Sequence, residues 1–272
     1  MARIALFQMT SGIDPRENAA RLASAVTDAA AGGARMLFTP EMSGLLDRDR
    51  KRAVANIVAE EETPALIETR DAAARAGIWV SIGSLAVAGG DGRWANRGFV
   101  IAPDGTIAAR YDKLHMFDVD LAAGETWRES NAFAAGNAVV TVDDTPVGRL
   151  GLTICYDIRF PALFDALARQ KCDAIVIPAA FTVPTGRAHW HVLQRARAIE
   201  ASAYVIAAAQ VGQHADGRET YGHSLVVDPW GEVLLDMGGE TSGLDFAEIE
   251  PERIASVRTQ VPSLENRRKI PF

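Results

Sequence analysis

What most narrows the fold is a repeated change of hydrophobic period: short, continuous apolar runs alternate with helical stretches, and two hairpin signals interrupt them. Arg3 to Met9 reads as a buried strand, and Asn18 to Ala31 as an alanine-rich helix stopped by Gly32-Gly33. Arg35 to Thr39 is a second buried strand, ended by Pro40. Thr63 before Pro64 pairs an N-cap with proline at the first helical position, opening a helix to Ala76 that Gly77 stops. Ile78 to Val87 is a strand, and Arg97 to Ala102 and Thr106 to Tyr111 flank the turn Pro103-Asp104-Gly105. Arg149 to Ile154 is a strand ending at Cys155, followed by a helix from Pro161 to Gln170 and a strand from Asp173 to Ile177 closed by Pro178. A helix from His189 to Ala201 precedes a strand from Tyr204 to Ala209. A second hairpin, Ser224 to Leu235, turns at Asp228-Pro229-Trp230-Gly231, and Leu244 to Ile249 is a last strand before a short helix from Pro251.

With no linker, repeat or low-complexity tract, residues 1–272 are expected to form one α/β domain with helices on one or both faces of its sheets. The hairpins demand antiparallel pairs, so a purely parallel doubly wound sheet fits less well. No glycine-rich phosphate loop follows the first strand, which weakens a nucleotide-binding reading.

Charge and cysteine content narrow the partners. The net charge is −7, from 28 basic and 35 acidic residues, with no basic stripe, and Arg48-Asp-Arg-Lys-Arg52 reads as a solvated helix face. Nucleic acid and anionic membranes are poor partners for such a chain. The opening apolar run is short and broken by Gln8, unlike a signal peptide, and no run approaches the roughly 18 residues that span a bilayer. Two cysteines, Cys155 and Cys172, make no disulfide framework, so a reducing cytoplasm is the expected compartment.

Ligands of α/β proteins sit at strand ends. Beyond three of these strands stand a carboxylate (Glu41), an ammonium (Lys113) and a thiol (Cys155). Each has an ordinary structural alternative: a helix-start acid, a surface charge, a small core hydrophobe. Together they are chemically complementary. A thiol of pKa about 8.5 is mostly protonated at neutral pH. A carboxylate in reach takes its proton, an ammonium favours the thiolate, and Lys113 with the backbone N–H of Tyr156 faces the oxyanion of an attacked carbonyl. Acyl transfer through a thioester is the chemistry this set would support.

Pro40-Glu41, Tyr111-Asp-Lys113-Leu-His-Met-Phe-Asp and Cys155-Tyr-Asp-Ile-Arg-Phe-Pro161 resemble the three signature segments of the nitrilase, or carbon–nitrogen hydrolase, superfamily. The likeness continues through His189-Trp-His-Val-Leu-Gln-Arg-Ala-Arg-Ala-Ile-Glu200, Tyr221-Gly-His-Ser-Leu-Val-Val-Asp-Pro-Trp-Gly231, Val261-Pro262 and Arg267-Arg268. The resemblance implies an α-β-β-α sandwich that pairs into a four-layer dimer or higher homo-oligomer, and cofactor-independent catalysis. Glu41 would be general base, Lys113 the oxyanion stabiliser and Cys155 the nucleophile. A second active-site glutamate matches Glu129, in Trp127-Arg-Glu-Ser-Asn131, with Glu125 as competitor.

The remaining motifs carry less. His189 and His191, two apart, do not share a helical face, no zinc spacing occurs, and no metal is expected. Gly-x-Ser-x-Gly is absent. Arg195, Arg197 and Glu200 read as a structural charge lattice, and Cys172 as core. Tyr156, Phe181 and Thr182 are placed to line a pocket. Within the superfamily the likeness is closest to deaminated-glutathione amidases and ω-amidases, and tilts toward the former. Both act on small anionic amides, and Arg159 and Arg187 are the candidates to meet the charge. The alternatives are an ω-amidase acting on α-ketoglutaramate or α-ketosuccinamate, a nitrilase or carbamoylase, and a catalytically silent binding protein.

Overall fold

Runs that are apolar without alternation form strands covered on both faces. The computed structural model describes residues 1–90, 92–120 and 126–269. The first half runs β1 (Ala2–Gln8), α1 (Pro15–Ala31), β2 (Met36–Phe38), a short α2 (Arg50–Ala53), α3 (Pro64–Ala76), β3 (Trp79–Ala88), β4 (Trp94–Ile101) and β5 (Ile107–Asp112). β6 (Asp118–Asp120) pairs with β7 (Thr126–Arg128), and β8 (Phe133–Ala134) joins β4. The second half runs β9 (Thr141–Thr145), β10 (Gly148–Leu152), α4 (Pro161–Arg169), β11 (Ala174–Val176), α5 (Val183–Ala201) and β12 (Tyr204–Ala207). β13 (Val211–Gln213) pairs with β14 (Glu219–Tyr221), and β15 (Leu225–Val227), β16 (Val233–Asp236), β17 (Gly243–Ile249) and α6 (Pro251–Gln260) follow.

Two mixed sheets result. One has the order β17-β1-β2-β3-β4-β5 and the other β16-β15-β12-β11-β10-β9, each with three central parallel strands between antiparallel neighbours. Ile4, Leu6, Met36 and Phe38 point inward and share one core with Leu150, Val176 and Ile206 of the other sheet. The alternate residues Ala5, Phe7 and Leu37 point outward and pack with Leu22 and Val26 of α1 and Leu66 and Ala73 of α3. Leu163, Phe164, Trp190 and Ala198 of α4 and α5 join the second sheet. The layering is therefore α-β-β-α, with each of the larger buried side chains (Val, Leu, Ile, Phe, Met) contributing about 1.5–3 kcal/mol. No helix among the described residues is long and apolar enough to cross a membrane.

Departures from the sequence reading have local causes. α5 starts at Val183 rather than His189, because Pro184 can open a helix and Gly186 is needed there. A Cβ at Gly186 would lie 2.2 Å from the Tyr221 ring, so packing forces a residue that reads as a helix breaker. Asp14 caps α1, moving its start to Pro15. Thr63 occupies the N-cap position, but its hydroxyl donates to Ala59 O and caps nothing. The strand before Cys155 ends at Leu152, and Cys155 opens a 3₁₀ turn. Four short strands in two hairpins, β6–β7 and β13–β14, carry no apolar run and escaped the reading.

Candidate active site

Glu41 leaves the end of β2 where the chain crosses β3 closely. A Cβ at Gly83 would sit 2.2 Å from Thr39 O and 2.5 Å from Pro40 O, so only glycine allows that approach. Gln210, beyond β12, then holds Glu41 O at 2.9 Å. Lys113 follows β5 directly, its N–H on Asn96 O and its carbonyl taking the Gly136 N–H. Cys155 sits at φ 47°, a left-handed conformation for a residue with a Cβ, while its N–H donates to Pro178 O. Strain of about 1–3 kcal/mol held at such a turn is a common property of functional sites.

These segments bring the side chains together. Lys113 Nζ donates to Glu41 Oε1 at 2.8 Å and to Glu129 Oε2 at 2.9 Å. Asn96 Nδ2 bridges the same two carboxylates, at 3.0 Å each. Ala180 N–H reaches Glu41 Oε2 at 2.9 Å, and Phe117 N–H reaches Glu129 Oε2 at 2.7 Å. Glu41, Lys113 and Cys155 are all buried. Deleting one partner would strand buried charge, at a cost of about 3–5 kcal/mol.

The protonation states follow from this geometry. Burial pushes Glu41 toward its neutral form, but the charge and hydrogen bond of Lys113, with donors from Cys155 and Asn96, hold its pKa below the ordinary carboxylate value. Burial opposes the Lys113 charge too, and Glu129 and Glu41 overcome it, keeping the ammonium protonated. Burial and the Glu41 charge push the Cys155 thiol up, with Lys113 opposing. The resting site is thus carboxylate, ammonium and neutral thiol, with the thiol beside the carboxylate that would take its proton.

Asp157 ties the thiol to the lysine. Fully buried, it accepts Tyr111 OH at 2.7 Å and the Ile154 N–H at 2.9 Å on one oxygen. The other oxygen faces the His115 N–H at 3.0 Å and Nδ1 at 2.7 Å. Residues flanking Lys113 and Cys155 therefore share one carboxylate. Arg197, buried on α5, adds a bond to Ile158 O, which gives the expected charge lattice a use in holding the same turn. Cys172 is fully buried, its pKa pushed up to about 12 by burial.

Glu41, Lys113, Glu129 and Cys155 open into a cavity of about 960 Å³. The five residues read as pocket-lining (Tyr156, Arg159, Phe181, Thr182 and Arg187) all line it. Glu125 lies outside the described residues. Of the Arg48–Arg52 segment, Asp49 caps the short α2 and Arg50 to Arg52 lie on its exposed side, yet Arg48 and Arg50 also border the cavity. Sequence reasoning missed Asn96, Asp157, Trp127 and Arg218. An Asn within strand β4 is the available signal for Asn96, but the hydrophobic pattern starts that strand at Arg97, three residues after its actual start at Trp94. Among the described residues no metal-ligand group adjoins Cys155.

A strained buried thiol beside an ionised carboxylate and a fixed ammonium has the make-up of a cysteine acyl-transfer site. The carbon-nitrogen hydrolase family profile matches residues 3–259. The chain is 40% identical, over 97% of each sequence, to a deaminated glutathione amidase of Synechocystis. It superposes on the crystal structure of the C. elegans NitFhit protein with TM-score 0.90 and 36% identity, covering 98% of this chain and 65% of that one. A mutant of the amidase from Nesterenkonia sp. AN1, with acrylamide added at its active-site cysteine, matches with TM-score 0.80 and 26% identity over 96% and 98% of the chains. The chain belongs to the carbon–nitrogen hydrolase family, within the nitrilase superfamily branch of the deaminated glutathione amidases, and is a C–N bond hydrolase.

Proposed function

We propose that this chain cleaves the amide of deaminated glutathione through a thioester on Cys155. As Cys155 Sγ attacks the carbonyl, Glu41 takes the thiol proton. Lys113 Nζ and the Tyr156 N–H, which no carbonyl of the described residues accepts, stabilise the oxyanion. The tetrahedral intermediate collapses with loss of the amine, which leaves with the proton held by Glu41. Water, deprotonated by Glu41, then attacks the thioester and returns the thiol. Glu129 keeps Lys113 charged and aimed. The observation carrying this reading is the Glu41–Lys113–Glu129 network beside a protonated Cys155 at the base of the cavity.

The substrate assignment draws on the relatives' names and on the cavity's chemistry. Deaminated glutathione carries a carboxylate at each end, and Arg159 and Arg187 border the cavity with no carboxylate partner among the described residues. Trp127, whose Nε1 is buried and unpartnered among the described residues, also lines the cavity. Turnover of deaminated glutathione, α-ketoglutaramate, simple amides and nitriles should rank deaminated glutathione first by about tenfold or more in kcat/KM. Preference for α-ketoglutaramate would make the enzyme an ω-amidase instead. The same reading includes a reducing compartment, consistent with two free thiols, and a homodimer. Supporting the dimer, Val192 and Ile199 of α5 and Trp230 and Leu234 of the β15–β16 hairpin are exposed apolar side chains. Light scattering should give twice the chain mass, 29.2 kDa.

A further inference from the structure

Outside the catalytic cavity, three segments distant in sequence bring metal-binding atoms to one point. His191 comes from α5, His223 from the turn before β15, and Asp236 from the end of β16. His191 Nε2 lies 2.9 Å from Asp236 Oδ2, and His223 Nδ1 lies 2.9 Å from Asp236 Oδ1. One ligand atom from each residue falls within 4.8 Å of the others. An ion bonded to nitrogen and oxygen at about 2.0–2.2 Å holds ligand atoms roughly 3.3 Å apart, so small side-chain rotations would admit it.

The point is built rather than casual. His223 sits at φ 54° after Gly222 at φ 69°, and its N–H donates to Gly238 O. Gly238 N–H in turn donates to Asp236 Oδ1, orienting the carboxylate from behind. Tyr221 stacks on the His223 ring at 4.4 Å and fixes its plane. All three ligands are partly exposed, which leaves an entry path and room for water in the remaining coordination positions.

We propose that His191, His223 and Asp236 form a binding site for a divalent transition-metal ion of the zinc class. Two imidazoles and one carboxylate suit Zn²⁺, Ni²⁺ or Cu²⁺ and disfavour Mg²⁺ and Ca²⁺, which take all-oxygen sets. None of the three residues lines the catalytic cavity, so the site stands apart from the reading of Cys155. Its effect is to pin α5 to the β15–β16 hairpin. Trp190 Nε1 on His223 O and the Trp190–Phe181 ring contact connect that pin to the cavity wall.

The test uses untagged full-length Cys155→Ala protein, which removes the competing catalytic thiol. Calorimetric titration with Zn²⁺ should give one ion per chain and a raised melting temperature. His191→Ala and Asp236→Asn, checked by circular dichroism for an unchanged fold, should each weaken binding by about tenfold or more. Co²⁺ should give visible ligand-field bands without thiolate charge transfer. Absence of saturable binding in the parent, or parent-like affinity in both variants, would overturn the site.

Discussion

The base and the rim of the cavity that holds Glu41, Lys113 and Cys155 are built on opposite principles. At the base, Glu41, Lys113, Glu129 and Asn96 are mutually hydrogen-bonded and held from behind by backbone N–H groups. At the rim, Arg159 stacks over Tyr156 and Phe181 with His189 as its only polar side-chain contact among the described residues, and Arg187 stands exposed. A fixed base suits a transition state whose charge must meet donors already in place. A loosely held cationic rim suits recognition, where side chains gain their partners when an anionic substrate arrives. Chemistry should therefore be lost from the base in kcat, and selectivity from the rim in KM.

The largest effect should come from Cys155→Ala, lowering kcat by at least about ten-thousandfold with the fold intact by circular dichroism. Lys113→Met should cost roughly 100–1000-fold in kcat and leave Glu41 and Glu129 as an uncompensated buried pair, seen as a lower melting temperature. Asp157→Asn places an amide donor among the donors of Tyr111, Ile154 and His115. It should slow kcat by roughly 10–100-fold, through misplacement of Cys155 relative to Lys113. Alkylation of Cys155 by iodoacetamide should slow in parallel, a change that general destabilisation would not give.

At the rim, Arg159→Met and Arg187→Met should raise KM for a carboxylated amide by about tenfold each, with kcat/KM for a neutral amide unchanged. Equal losses on both substrates would erase the distinction between base and rim. The pH profile tests the base again. Because Lys113 depresses Glu41, the acid limb of kcat/KM should fall below the ordinary glutamate value of about 4.3. Because burial and Glu41 raise Cys155, alkylation should show no inflection near the ordinary thiol value of about 8.5.

The base was far more legible in sequence than the rim, for a physical reason. Glu41 and Cys155 each stand just past a buried apolar strand, and Lys113 just past the second strand of a hairpin marked by Pro103-Asp104-Gly105, so local pattern announces where the chain must turn and what side chain it delivers. Glu129 has no such strand, since β7 is short and half exposed, and only the resemblance pointed to it. Asn96 and Asp157 act through hydrogen bonds between segments far apart in sequence, which no local spacing records. Arg218 and Trp127 stack at 5.1 Å across two hairpins that no apolar run marks. The layered fold was readable because its central strands are apolar on both faces. The start of α5 was not, because Tyr221 dictates Gly186 from outside the helix.

The central claim is that Cys155 carries the acyl group. Rapid acid quench of the enzyme during turnover of deaminated glutathione, followed by intact-mass and peptide analysis, tests it directly. The account predicts a mass increase equal to the acyl fragment, mapped to the peptide containing Cys155, and none in Cys155→Ala. Undiminished turnover in Cys155→Ala, or an adduct on another residue, would contradict it.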